Sequence, residues 1–301
     1  MIRILWPFTL GAFALGLDAY VLDGLLPAMA HDLHVPQASV GLGIAIFTAA
    51  YAVSAPTLSP LAARRSTRLG LLTGLGLFTF GNILTITSSS LPVLLLSRAV
   101  AGMGAGIFSP LASSTAANMV DVPQKGRALS SVLDGLGSGT AFGIPVGLAI
   151  ERWFGWRWTI GLLVLLGLIA AAGVALYRAE LPKMRTVDWK ARLSALKGAI
   201  HSGDVVRYVL HFVFSARSLY VYRSAPQQHA LMSNDPANSV AALAWNSSIN
   251  YLGGAIGAAV GSVLLSAYLA PTSLPLFAMI GVAVAIGIHS FKMKIPVGTA
   301  P

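Results

Sequence analysis

The chain contains no cysteine. That excludes disulfides, thiolate nucleophiles and cysteine metal sites. Charge is also scarce: 10% of the 301 residues are charged, 55% are hydrophobic and the mean hydropathy is +0.74. A soluble domain carries roughly 25% charged residues, so the composition excludes an ordinary soluble globule and indicates a polytopic membrane protein. In such a chain the missing cysteine says little about redox compartment. Acidic residues number 10 against 20 Lys and Arg, for a net charge of +10. In a soluble protein this excess would point to nucleic acid; here its meaning depends on which loops hold it.

What is abundant is long apolar sequence. Stretches of roughly twenty apolar residues, each able to cross the hydrocarbon as a helix, fall at about 5–30, 39–62, 70–88, 92–118, 128–150 and 158–177. They predict six transmembrane helices. With a cytoplasmic amino terminus, the inside cations are Arg3, the Arg64, Arg65 and Arg68 loop, Lys125 and Arg127, and the run Arg178, Lys183, Arg185, Lys190, Arg192 and Lys197. Only Arg152 and Arg157 fall outside. This positive-inside pattern explains most of the basic excess without nucleic acid. The first run follows Arg3 and holds Ala28-Met29-Ala30, features shared with signal peptides, but it is too long for an h-region and carries Asp18 and Asp23. It reads as a first transmembrane helix.

Charges inside the spans are few, and each is a candidate functional residue because a charge at bilayer depth normally faces a partner or a watered cavity. Arg98 opens the run Arg-Ala-Val-Ala-Gly102-Met-Gly104-Ala-Gly106 in the fourth span. The glycines after it remove side-chain bulk and let a neighbouring backbone approach. Asp18 and Asp23 lie in the first span, about 140° apart around a helix, so they cannot face one cavity equally. Counted at 1.5 Å per residue, Asp18 is about 18 Å and Asp23 about 10 Å below the outer end, with Arg98 about 9 Å deep. Depth makes Asp23 the expected partner of Arg98 and Asp18 the expected proton carrier. Other readings stand beside this one: Asp23 reaches interfacial water, or all three form a structural ion cluster. Asn82, the strongly polar side chain deep in the third span, is expected to hydrogen-bond across helices rather than touch substrate. Asp134 is expected to be shallow and watered.

The motif Arg98-x-x-x-Gly102-x-Gly104-x-Gly106 in a fourth span resembles the fourth-helix motif of the major facilitator superfamily, most closely its drug:proton antiporter and sugar-efflux branch. Gly139-x-x-x-Gly143-x-Pro145-x-Gly147 is similar to the fifth-helix motif of the antiporter branch. Its glycines permit close packing and Pro145 removes a backbone hydrogen bond, which suits a rocking interface or a static kink. The first span, with Asp18 and Asp23, is similar to the branch's first helix, where an acid in the place of Asp18 is implicated in cation or proton handling. Arg64, Arg65 and Arg68 occupy the family's loop motif between helices two and three, but Ala63 stands where an aspartate is usual. That leaves these arginines as topology signals or anchors to anionic lipid.

The resemblance implies an all-α membrane protein, a major facilitator type helical bundle with six N-terminal transmembrane helices and two or three C-terminal ones. Residues 1–177 are the expected six-helix bundle, 178–204 a basic cytoplasmic linker and 205–301 a shortened C-terminal half. Trp189, Leu193, Leu196 and Ile200 give the linker an apolar stripe for the inner leaflet. Residues 205–223 carry Arg207, Arg217 and Arg223, so they are expected to stay on the cytoplasmic face, giving eight spans; the alternative is nine with the final pair inverted. Residues 244–261 and 274–293 resemble the family's last two helices.

The expected function is therefore a proton-coupled secondary transporter exporting a small amphipathic or sugar-like compound across the plasma (inner) membrane. Its partners are the substrate, protons and lipid, with self-association able to complete the short half. The alternative is a non-transporting membrane remnant or assembly protein. No enzyme site can be assembled from these residues. No cofactor is implied: the glycine runs lack the strand and polar helix start of a nucleotide site, and His31-Asp32-x-His34 is too sparse for a metal.

Overall fold

A computed structural model of the chain describes residues 2–177 and 181–182. Expectations for the linker beyond Pro182 and for residues 205–301 lie outside the described residues. Within them the chain forms six long helices: α1 Ile2–Asp32, α2 Gln37–Ala62, α3 Thr67–Ile86, α4 Leu91–Asn118, α5 Lys125–Phe154 and α6 Trp156–Leu176. All six are long and apolar enough to cross a membrane. Their starts follow local chemistry. Ser66 caps α3 by accepting from the Leu69 amide at 3.4 Å, and Pro92 sits in the first turn of α4, where its missing N–H costs nothing.

The apolar runs leave residues 151–157 as an outer loop between the fifth and sixth spans, and the structure corrects this. There α5 continues through Arg152 and Phe154, α6 begins at Trp156, and Gly155 alone joins them. Its φ of 86° is a conformation that glycine adopts without a Cβ clash. Tryptophans on both sides, Trp153 and Trp158, remain exposed as belt residues.

Packing follows the small residues. In α4, Gly102 and Gly106 lie against the α2 backbone at Phe47 and Tyr51, while Gly104 lies against Phe78 and Gly74 of α3. So α4 is squeezed between two neighbours and is buried along most of its length. In α5, Gly135, Gly139, Gly143 and Gly147 form one stripe that meets Thr9, Phe13, Leu17 and Val21 of α1 in succession. The two helices therefore run parallel and nearly backbone to backbone. Pro145 lies inside α5 without ending it, and faces outward.

Two apolar clusters fill the bundle. One gathers Leu5, Phe8, Phe47, Phe78 and Phe108; the other gathers Leu22, Leu25, Met29, Leu94 and Trp156. The boundary between them falls at Asp18 in α1, Asn82 in α3 and Arg98 in α4. At one end of the bundle, Leu181 is buried in the first cluster and Thr67 Oγ1 donates to the Pro182 carbonyl at 2.7 Å. The chain leaving α6 is thus tied back beneath α3.

Candidate functional site

The layer between the two clusters is polar. Arg98 Nη1 donates to Asp18 Oδ1 at 2.8 Å, with side-chain exposures of 1% and 0%. Depth had favoured Asp23 as the partner; the structure corrects this, and Asp23 is exposed. The reason is angular. A long arginine side chain can absorb an axial offset of more than a helical turn, about 5.4 Å of pitch, but no side chain can turn through the angle separating the two acids.

Three further groups complete the layer. Asn82, fully buried, donates its Nδ2 to Asp18 Oδ2 at 3.4 Å and to the Phe78 carbonyl at 3.1 Å. The Phe47 ring lies under the guanidinium, 4.5 Å from the Arg98 carbon to the ring centroid. Gly43 leaves room for the arginine stem, since a Cβ there would stand 3.2 Å from Arg98 Cγ. Among the described residues, Arg98 Nε and Asn82 Oδ1 are buried without a hydrogen-bond partner.

Chemically, the layer pairs one carboxyl group, Asp18, with one guanidinium that holds its charge permanently, Arg98. Burying such a pair is costly and breaking it costlier. Asn82 was expected to bond across helices and does, but its partner is the buried carboxylate, which gives a packing residue a place in the site. Phe47 was not singled out from sequence. A signal existed: it lies one turn from Gly43 on α2 and meets α4 at Gly102.

The remaining candidates lie elsewhere. Gly102, Gly106, Gly139, Gly143 and Gly147 are at helix contacts, and Asp134 is exposed on α5. Arg64 and Arg65 are exposed, but Arg68 turns inward and donates to the Tyr177 carbonyl at the end of α6. At the opposite end, Arg157 pairs with Asp32, stacks 4.3 Å from the Trp156 ring centroid and donates to the carbonyls of Ile86 at 3.0 Å and Ser88 at 3.1 Å. Asp32 also accepts from Trp156 Nε1 at 3.1 Å. The acid between His31 and His34 is therefore a structural clasp joining α1, α3 and α6, and no metal-binding group of three His, Asp or Glu converges among the described residues.

The sequence model of the Major Facilitator Superfamily matches residues 8–230, most of the chain. The chain belongs to the major facilitator superfamily. It is thus an integral multi-pass membrane protein of a transporter family, not an enzyme. It is 32% identical over 169 residues to the uncharacterized MFS-type transporter YtbD of Bacillus subtilis, covering 56% of this chain and 43% of that protein. It is 34% identical over 164 residues to a chloramphenicol resistance protein of Streptomyces lividans, covering 54% and 41%. The matched stretch spans less than half the length of these relatives. The crystal structure of the human organic anion transporter MFSD10 superimposes with a TM-score of 0.66 over 96% of this chain and 97% of that one, at 13% identity, a likeness of fold alone.

Proposed function

We propose that this protein is a proton-coupled secondary transporter that exports a small amphipathic, drug-like or sugar-like compound. The observation that carries the reading is the Asp18–Arg98 pair at 2.8 Å, sealed between two apolar clusters at 0% and 1% exposure. A titratable acid held by a fixed charge inside a membrane bundle is costly without a task. In this reading Asp18 carries the proton, Arg98 is its counter-charge, and Asp23 is a second, accessible acid. The α1–α5 and α2–α4 glycine contacts form the packing against which the bundle moves, and Pro145, on the outward side of α5, lets that helix bend. The chloramphenicol resistance relative supports drug-like cargo. The amino terminus is cytoplasmic in the inner membrane, residues 1–177 are one bundle, 178–204 a basic linker, and 205–301 a second half that self-association completes.

The test is efflux of ethidium from cells lacking their own pumps, with and without an uncoupler, beside Asp18→Asn. Uncoupler-sensitive efflux, reduced at least tenfold in the variant, is expected. Proton-dependent efflux that survives Asp18→Asn removes Asp18 from the coupling. No flux from correctly inserted protein, with ethidium or with sugar analogues, favours a non-transporting assembly role.

A further inference from the structure

Asp18 has two oxygens, and each meets one donor. Oδ1 is held by Arg98 Nη1 at 2.8 Å, a charge-assisted bond to a group that cannot release its proton or accept one. A proton arriving at Asp18 therefore goes to Oδ2. Facing Oδ2 is Asn82 Nδ2 at 3.4 Å, which is a donor only. Once Oδ2 is protonated, two donors point at each other.

Asn82 contains its own remedy. Its Oδ1 is buried and has no partner among the described residues. The terminal torsion of asparagine is broad and roughly two-fold, so the carboxamide can exchange its oxygen and nitrogen by rotation. Rotation trades the bond from Nδ2 to the Phe78 carbonyl at 3.1 Å for one from the acid O–H, and the carboxamide must also tilt its oxygen away from that carbonyl, which keeps its helical bond. An orphaned buried acceptor in the charged state is thereby accounted for by its use in the other state.

We infer that Asn82 is the positioning residue of the coupling site: its carboxamide donates to Asp18 Oδ2 when that oxygen is charged and accepts from it when it carries the proton. The inference rests on Asp18 being the proton carrier. The groups facing Asp18 keep the assignment simple. From α4 comes Arg98, from α3 the neutral Asn82, from α5 the glycines Gly139 and Gly143 against Leu17, while on α1 itself Asp23 is exposed and Tyr20 half-buried. From α2, Phe47 meets Arg98 rather than the acid, and α6 contributes no charged side chain at this level.

The experiment is infrared difference spectroscopy of the full chain in liposomes, taken between neutral and acid pH. A carboxylic acid C=O band should appear in the wild type and vanish in Asp18→Asn. In Asn82→Leu, which neither donates nor accepts, that band should move to higher frequency because the acid O–H has lost its acceptor. Asn82→Gln, which restores both functions, should move it back. A band that stays in place in Asn82→Leu overturns the inference while leaving Asp18 as carrier. A band unaffected by Asp18→Asn overturns the carrier assignment and this inference with it. If Asn82→Leu does not insert, Asn82→Ser serves, since its hydroxyl ends a bond short of the Asn82 amide, which already stands 3.4 Å from Oδ2, and an unmoved band there is equally decisive.

Discussion

At the scale of single residues, Asp18 and Arg98 make one electrical unit, and replacing either alone costs stability. Removing one partner of a buried pair leaves an uncompensated charge, a loss of about 3–5 kcal/mol, whereas neutralising both is often close to neutral. Thermal unfolding in detergent, followed by tryptophan fluorescence, should therefore rank the variants in a particular order. Arg98→Gln is expected to unfold well below wild type, and adding Asp18→Asn should recover most of the loss. A double variant less stable than both singles would mean that the two side chains act separately. The same residues show how far sequence reading reached. Their presence in apolar spans marked them at once, because charges there are rare. Their pairing was missed because depth can be counted along a sequence, whereas the face a helix turns toward its neighbour is set by packing with helices far away in the chain.

At the scale of helices, the glycines divide the work. Gly139 lies directly on the α1 backbone, where a Cβ would meet Phe13 and stand 2.7 Å from the Leu17 amide nitrogen. Backbone cannot yield as a side-chain tip can, so Gly139→Leu should separate α1 from α5 and abolish a monodisperse peak in size-exclusion chromatography. Gly41 is the internal control, because among the described residues nothing lies within 4 Å of a Cβ there. Gly41→Ala should elute as wild type and, by helix propensity, be no less stable. The six helices of the described residues and most of their boundaries were legible, since twenty-residue apolar runs have few other uses. The stripe in α5 was legible from Gly139 to Gly147, and the structure extends it to Gly135. The α5–α6 corner was not, because Arg152 and Arg157 fall between two apolar runs and were placed outside the spans, whereas both sit on helices that meet at Gly155. The role of Arg68 was hidden for a similar reason: its acceptor is a backbone carbonyl at Tyr177, which no side-chain pattern announces.

At the scale of the whole molecule, the absence of cysteine becomes an experimental convenience. Single cysteines at exposed Arg65 and Arg152 can be labelled without background, and an impermeant maleimide added to intact cells should reach Arg152→Cys but reach Arg65→Cys only after lysis. The reverse pattern would invert the topology. The seam between α1 and α5 has a consequence for biogenesis. Asp18 and Arg98 are 80 residues apart, and at about 5–20 residues per second the ribosome needs about 4–16 s to make the stretch between them. For that time the first helix must be held at the membrane with a carboxylate that has no counter-charge. Its glycine-bearing partner α5 arrives later still. A nascent chain stalled between α1 and α4 is therefore the form most exposed to quality control, and the first helix depends on the insertion machinery rather than on its own bundle until the fourth has been delivered.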